Sequence, residues 1–197
     1  MRSANDKKTR YKITNSTTII LDRPAQPSPA LERMTLHLLA WSDLRPLHQR
    51  ALLDHMIHSF EKPWADPDAL LRRFLRPSCR VAVYAVDGTV TAAALLWKEP
   101  SFFYLDKFFV LPPYKQQRIG TPFLAALLSA VTPLVWRTDP ILATRFYGKH
   151  PAVRTLGTHG EKGYVYQYAS AIHRPWEYED IAPLLALRSA FVPQNTT

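Results

Sequence analysis

The sequence is poor in cysteine, in glycine and in long apolar runs. Cys79 is the single cysteine, which excludes an internal disulfide and fits a reducing, cytoplasmic compartment. No apolar run approaches the roughly 20 residues that a membrane span needs, so no membrane partner is predicted. Only six glycines stand against seventeen prolines, which predicts many abrupt chain breaks and few flexible hinges.

Acidic residues are also few relative to basic ones. The 25 lysines and arginines exceed the 16 acids by nine, which favours either an anionic ligand or merely a soluble surface with a basic tail. A nucleic-acid-binding module would expose aromatic rings among basic residues. Here the aromatic residues fall in apolar strands, so no nucleic-acid partner is predicted.

Metal-ligand spacing is absent as well. Seven histidines are scattered along the chain, and the pair His55 and His58, one helical turn apart, has no second histidine or cysteine pair to complete a site. We therefore predict no metal and interpret these two as surface or core histidines. The adjacent Arg72 and Arg73 are interpreted as a solvated helix face.

What is present suits one domain with extensions. A length of 197 residues and a hydrophobic content of 47% are ordinary for a single globular domain. We predict a basic, proline-rich tail over 1–31, a domain over 32–170 and a helical extension over 171–197. Asp6 and Asp22 argue against a mitochondrial transit peptide in the tail, and the extension could cap the domain or form a homodimer.

The middle of the chain alternates strand and helix patterns. Asp43 is predicted to cap a helix that has Pro46 in its first turn. Asp87-Gly88 supplies the positive φ angles of a tight hairpin turn. The predicted strands are 34–39, 81–86, 89–97, 102–110, 135–136 and 164–168, and the predicted helices begin near 46, 67 and 120.

The stretch from Tyr104 to Thr121 organises the chain. Pro112 and Pro113 must end the apolar strand before them, and Gly120 opens a helix with one apolar face. A helix start directs unpaired backbone N–H groups at whatever precedes it, and this favours an anion there. Lys115 and Arg118 add positive charge, so the loop is a candidate phosphate cradle.

The run VLPPYKQQRIGTPFL, within this stretch, resembles the acetyl-CoA loop of the GNAT acetyltransferase superfamily. YLDKF, followed by VWR and then RFY, resembles the acetyltransferase domain of N-acetylglutamate synthases fused to an amino-acid kinase, enzymes of arginine biosynthesis. The likeness runs from about His48 to Tyr168. It implies an α/β GNAT fold, in which a mixed, mostly antiparallel sheet is flanked by helices and splays between its fourth strand, ending at Val110, and its fifth, at 135–136.

The resemblance also implies a set of site residues. Lys107 and Arg137 match the lysine and arginine that hold the amino acid's carboxylates, and Tyr147 matches the catalytic tyrosine that protonates the departing CoA thiolate. Alternatively, Lys107 simply pairs with Asp106, and Tyr147 is a packed aromatic. The cofactor acetyl-CoA, itself a substrate, would contact Phe108, Phe109, Val110, Lys115, Gln116, Gln117, Arg118, Ile119, Gly120 and Thr121.

Two departures from the family pattern bear on activity. Arg118 stands where the loop normally has a glycine, and the asparagines expected between the WR pair and the RFY run are missing, with Leu142 and Arg145 near their places. The favoured hypothesis is an N-acetyltransferase acting on glutamate or a similar small carboxylate-bearing amine. The alternatives are a degenerate GNAT-fold binding protein and an acetyltransferase with another amine substrate.

Overall fold

A computed structural model describes residues 12–13, 17–20, 34–59, 67–159 and 164–170. The chain forms two compact units, unit 1 over residues 1–131 and unit 2 over residues 132–197. The strands described in unit 1 are β1 (Lys12–Ile13), β2 (Thr17–Ile20), β3 (Met34–Leu39), β4 (Cys79–Val86), β5 (Thr89–Lys98) and β6 (Phe103–Val110). Its helices are α1 (Pro46–Ser59), α2 (Pro67–Phe74) and α3 (Gly120–Ala130). The elements described in unit 2 are β7 (Leu134–Thr138), α4 (Pro140–Arg145), β8 (Val153–His159) and β9 (Tyr164–Ala169).

The sheet of unit 1 is antiparallel throughout and follows chain order from β1 to β6. The predicted hairpin is confirmed as β4 and β5. Asp87 has a φ of 48° and Gly88 a φ of 78°, so both turn residues are left-handed, as a two-residue hairpin turn of the favoured twist requires.

Helices cover both faces of this sheet. Leu52 and Met56 of α1, with Leu70 and Phe74 of α2, are buried in one apolar cluster with alternate residues of β4 and β5. We call this side the α1/α2 face. On the opposite side, which we call the α3 face, Phe123 of α3 packs against strand residues. The predicted arrangement of three successive antiparallel strands followed by a helix over the sheet is confirmed.

A β-bulge interrupts the pairing of β5 with β6. Leu95 pairs with Lys107, but the next residue, Leu96, pairs with Leu105, so Asp106 has no residue opposite it. Directly opposed residues share a face of the sheet, and Leu95 belongs to the cluster on the α1/α2 face. Lys107 therefore projects toward that face, whereas Leu105 projects toward the α3 face.

Unit 2 contains an antiparallel sheet in the order β7, β9, β8. Its centre is a buried polar junction at Gln167, which accepts a hydrogen bond from Trp136 Nε1 at 3.1 Å and donates to the Ala143 carbonyl at 3.1 Å. Asp139 caps α4 by accepting a hydrogen bond from Ile141 N at 2.7 Å. These contacts fix the short helix against the sheet.

One predicted cap is wrong. Asp43 lies in a 3₁₀ turn over Trp41–Asp43 and accepts a hydrogen bond from Ala40 N at 3.3 Å, whereas α1 begins at Pro46. The carboxylate thus closes its own turn and does not cap the helix. The predicted C-terminal helix lies outside the described residues, and the splay between β6 and β7 stays a prediction. None of the helices in the described ranges has the length and apolar character of a membrane span.

We expect Gly148→Ala to destabilise unit 2. A Cβ at position 148 would lie 2.6 Å from the Ala143 carbonyl oxygen, a collision with backbone that should cost about 1–3 kcal/mol. Hydrogen exchange of the β7 and β9 amides would measure the loss. Gly88→Ala is the control, because a Cβ there meets no atom within 4 Å and the left-handed φ alone should cost about 1 kcal/mol. Equal protection of unit 2 in wild type and Gly148→Ala would contradict this account.

Candidate functional site

The connection between β6 and α3 is a short, exposed, basic loop. Leu111 leads into a 3₁₀ turn over Pro112–Tyr114, and the chain then turns through 115–119 before α3 begins at Gly120. Lys115, Gln116 and Arg118 are all exposed. The predicted order of strand, proline break, basic loop and helix is confirmed, and the loop is accessible to a ligand.

Two residues of this loop have a left-handed backbone. Gln116 has a φ of 68° and Arg118 a φ of 59°, and Ile119 follows with a right-handed φ of −63°. A left-handed residue next to a right-handed one directs successive backbone N–H groups into a common concavity that attracts anions. Arg118 thus keeps the backbone form that favours glycine, although the glycine itself is absent.

The start of α3 is oriented toward the same loop. Ile119 is its N-cap and provides no side-chain hydrogen bond, whereas Phe123 N donates to Ile119 O at 3.1 Å and closes the first turn. The first N–H groups of a helix have no partner within the helix, and the helix dipole makes this end positive. An eleven-residue helix with an uncapped start next to two cations is suited to hold phosphate groups.

The last residues of β6 place two aromatic rings on opposite faces of the sheet. Phe108 stacks on Phe123 of α3, with ring centroids 4.6 Å apart. Phe109 faces α1 and lies 4.7 Å from the ring of His55, centroid to centroid. Packed rings on both faces therefore hold β6 at Phe108 and Phe109, two of the predicted cofactor-contacting residues.

Lys107 lies beside a charged junction centred on Asp106. Asp106 Oδ2 accepts hydrogen bonds from Arg73 Nη2 at 2.9 Å and from Trp97 Nε1 at 3.0 Å. Its other oxygen, Oδ1, lies 3.9 Å from Lys107 Nζ. The guanidinium of Arg73 also covers the Trp97 ring, 4.8 Å from its centroid. Asp106 is thus neutralised mainly by Arg73, and Lys107 lies farther from the carboxylate.

One side chain of this face differs from the sequence-based interpretation, and another follows one of its two alternatives. Arg73 was expected on a solvated helix face, but it reaches across to the β-bulge and is largely buried, with 24% of its side chain exposed. His55, expected as a surface or core histidine, is a core residue with 9% exposure. Burial lowers the pKa of His55, and the charge of Lys115 lowers it further. The bulge that brings Arg73 to Asp106 leaves no signal in the sequence pattern.

Unit 2 holds the other two predicted site residues, Arg137 and Tyr147. Arg137 is exposed on β7, and its guanidinium lies 4.7 Å from the centroid of the Tyr164 ring. Tyr147 is 7% exposed and packs against Trp136 with centroids 5.3 Å apart. Since neighbouring residues of a strand face opposite sides, Arg137 and the Trp136–Tyr147 pair lie on opposite faces of β7.

Burial raises the pKa of the Tyr147 phenol far above its ordinary value. The phenol is therefore protonated at neutral pH, which is the form that a proton donor needs. In the described part of the chain, no three histidine, cysteine or acidic side chains cluster as metal ligands would.

No protein-family model matches the sequence, and no curated protein matches it either. Solved structures do resemble the fold. A protein from Bacteroides thetaiotaomicron, described as an acetyltransferase of the GNAT family, matches with a TM-score of 0.62 at 14% identity, over 82% of this chain and 99% of its own. ElaA from Escherichia coli matches with a TM-score of 0.55 at 15% identity, over 68% of this chain and 99% of its own.

An aminoglycoside 6'-N-acetyltransferase complexed with coenzyme A matches with a TM-score of 0.55 at 13% identity. This match covers 71% of the present chain and 99% of the other. Identities this low establish a shared architecture and leave substrate and activity open. The α/β fold of this chain, a mostly antiparallel sheet flanked by helices, is therefore the GNAT fold.

Proposed function

We propose that the protein is an N-acetyltransferase that moves an acetyl group from acetyl-CoA to the amine of glutamate or a similar small carboxylate-bearing amine. The observation that carries the proposal is the loop before α3. Its left-handed Gln116 and Arg118, its two cations and an uncapped helix start occur together after a buried strand. Several solved structures with this fold are described as acetyltransferases, and one of them holds coenzyme A.

In this proposal the pyrophosphate of acetyl-CoA binds the loop. Backbone N–H groups from Arg118 to Thr121 would donate to its oxygens, and Lys115 and Arg118 would add long-range attraction. Pro122 has no N–H and leaves the first turn one donor short. The thioester would lie along the end of β6, where backbone near Phe109 and Val110 polarises its carbonyl and stabilises the oxyanion that forms.

The acceptor side of the proposal rests on cations. Lys107 projects from β6 toward the α1/α2 face and is 26% exposed, so its ammonium is the proposed partner of one substrate carboxylate. Arg137 is exposed in unit 2 and offers a planar fork for a second carboxylate. Tyr147, protonated and buried, is the proposed donor to the CoA thiolate.

A second candidate is a GNAT-fold protein that binds a ligand without transferring an acetyl group. Two observations favour it. Arg118 places a side chain where the resembled loop has a glycine that lets the cofactor approach the backbone. Tyr147 is buried at 7% exposure, so the thiolate would need a path to the phenol. An acetyltransferase for a different amine is the third reading, supported by the missing asparagines.

The first prediction is that the protein binds acetyl-CoA with micromolar affinity, about −8 kcal/mol, by isothermal titration. Gly120→Asp should weaken this binding at least tenfold, because a carboxylate at the helix start repels phosphate and competes for the same N–H groups. Ser129→Asp adds the same charge at the other end of α3, about 13 Å away, and should bind like wild type. Undiminished binding by Gly120→Asp would refute the loop assignment.

The second prediction concerns strain at Arg118. Arg118→Gly should stabilise the fold by about 0.5–1 kcal/mol, because glycine adopts a left-handed backbone at no steric cost. Gln117→Gly is the matched control: it is exposed and has no positive φ, so it should destabilise by about 0.5–1 kcal/mol. Chemical denaturation of both variants measures the difference. If both shift in the same direction, the backbone at Arg118 is not strained.

The third prediction concerns the acceptor. We expect a roughly 30-fold to several thousandfold loss of kcat/KM for a carboxylate-bearing amine in Arg137→Ala and in Lys107→Ala. Removing the charged partner of a desolvated carboxylate weakens its binding by about 2–5 kcal/mol. Arg137→Lys should restore activity only partly, because an ammonium cannot reproduce the planar fork. Affinity for acetyl-CoA should barely change.

This third prediction is tested with a panel of amino acids and uncharged amines, assayed by CoA release. Lys149→Ala, which removes an exposed cation from unit 2, is the control and should behave like wild type. Preference for an uncharged amine, or full turnover in both alanine variants, would exclude the glutamate-like assignment. Binding of acetyl-CoA with no turnover on any amine would favour the ligand-binding alternative.

A further inference from the structure

One buried titratable group on the α1/α2 face has no part in the chemistry described so far. His55 lies on α1 and is 9% exposed, and its ring contacts Phe109 at 4.7 Å between centroids with the planes tilted by 37°. Phe109 belongs to the segment of β6 whose backbone is proposed to polarise the thioester. The imidazole is therefore packed directly on the strand end where the reaction would occur.

The same face also presents the proposed carboxylate binder. Phe109 pairs with Ala93 and Lys107 pairs with Leu95, and both partners belong to the apolar cluster under α1 and α2. Lys107 and Phe109 are therefore neighbours on one face, about 7 Å apart along the strand. An amino acid held by its carboxylate at Lys107 can place its amine next to the ring that covers Phe109.

We propose that His55 is the proton acceptor for the attacking amine, a group that the sequence alone did not identify. The inference rests on the proposed function. As the amine lone pair forms the C–N bond, nitrogen passes one proton to the imidazole, and the C–S bond then breaks with its electron pair on sulfur. The amine attacks in its neutral form, so nitrogen loses one proton on acylation. That proton passes through the imidazole to solvent and balances the proton that the CoA sulfur gains.

The charges around His55 suit this role. Burial lowers its pKa and Lys115 lowers it further, so the ring is neutral and able to accept a proton at pH 7. On β6, Lys107 would oppose protonation, and Asp106 is bonded to Arg73 and Trp97. Helix α1 itself adds the exposed Arg50 and Asp54. Acetyl-CoA would bring the opposite charge to Lys115 when it binds.

The first arm of the test needs no acceptor. In protein labelled with ¹³C at histidine Cε1, addition of acetyl-CoA should move the His55 signal and leave that of His37 unchanged. His37 is a matched reference, because burial lowers its pKa too, yet its strand β3 lies three strand spacings, about 14 Å, from β6. Bound acetyl-CoA with an unmoved His55 signal overturns the inference and leaves the proposed function intact. No binding of acetyl-CoA overturns both.

The second arm is kinetic, with glutamate or the fastest amine of the panel at saturating acetyl-CoA. His55→Gln should lower kcat/KM about 10²–10⁴-fold with an unchanged KM for acetyl-CoA, whereas His37→Gln should not. In wild type, log kcat/KM against pH should bend below pH 6.5, where the imidazole gains its proton, and His55→Gln should lose this bend. A structural histidine would leave the bend in place, and that result overturns the inference.

Should His55→Gln fail to fold, a second variant keeps the test decisive. Lys115→Met retains the imidazole and removes the positive charge that lowers its pKa. The bend should therefore move up toward pH 6.5. A bend that stays in place in Lys115→Met means that His55 is not the titrating group, and the inference is wrong.

Discussion

The structure of unit 1 depends on the burial of β5 on both faces. Ala92, Ala93 and Ala94 are each at most 1% exposed, and their small side chains leave room for the large residues opposite them on β6, Phe108, Phe109 and Val110. A strand that is covered on both faces removes apolar surface from water on each of them, and this stabilises the fold. The same burial makes any charge beside it costly unless that charge is paired.

That constraint explains the junction at Asp106. The carboxylate is 15% exposed next to a strand that is buried on both faces, so it needs the donors that Arg73 and Trp97 provide. Arg73 reaches it from α2, and the cation–π contact with Trp97 fixes its guanidinium from the other side. Arg73 thereby offsets the charge of Asp106, and Lys107 Nζ lies 3.9 Å from the other carboxylate oxygen.

Much of this could be predicted from the sequence, and the failures have physical causes. The hairpin at Asp87-Gly88 and the helix from Gly120 follow from local turn chemistry and periodicity, and both were found. The bulge at Asp106 and the reach of Arg73 depend on strand register and tertiary contacts, which a single sequence does not encode locally. The burial of His55 and Tyr147 was one of two alternatives that the sequence left open for the same reason, since both belong to patterns that mix polar and apolar residues.

The bulge also changes which residues of β6 share a face of the sheet. In a regular strand, residues two apart share a face, yet Leu105 and Lys107 face opposite sides because Asp106 lies between them without a partner. The residues of β6 that face α3 therefore have odd numbers before Asp106 and even numbers after it. Among homologues, the positions of the α3 face that conserve apolar character would be odd-numbered before the bulge and even-numbered after it. A change in the spacing of conserved apolar positions at Asp106 would therefore reveal the bulge, which a single sequence does not show.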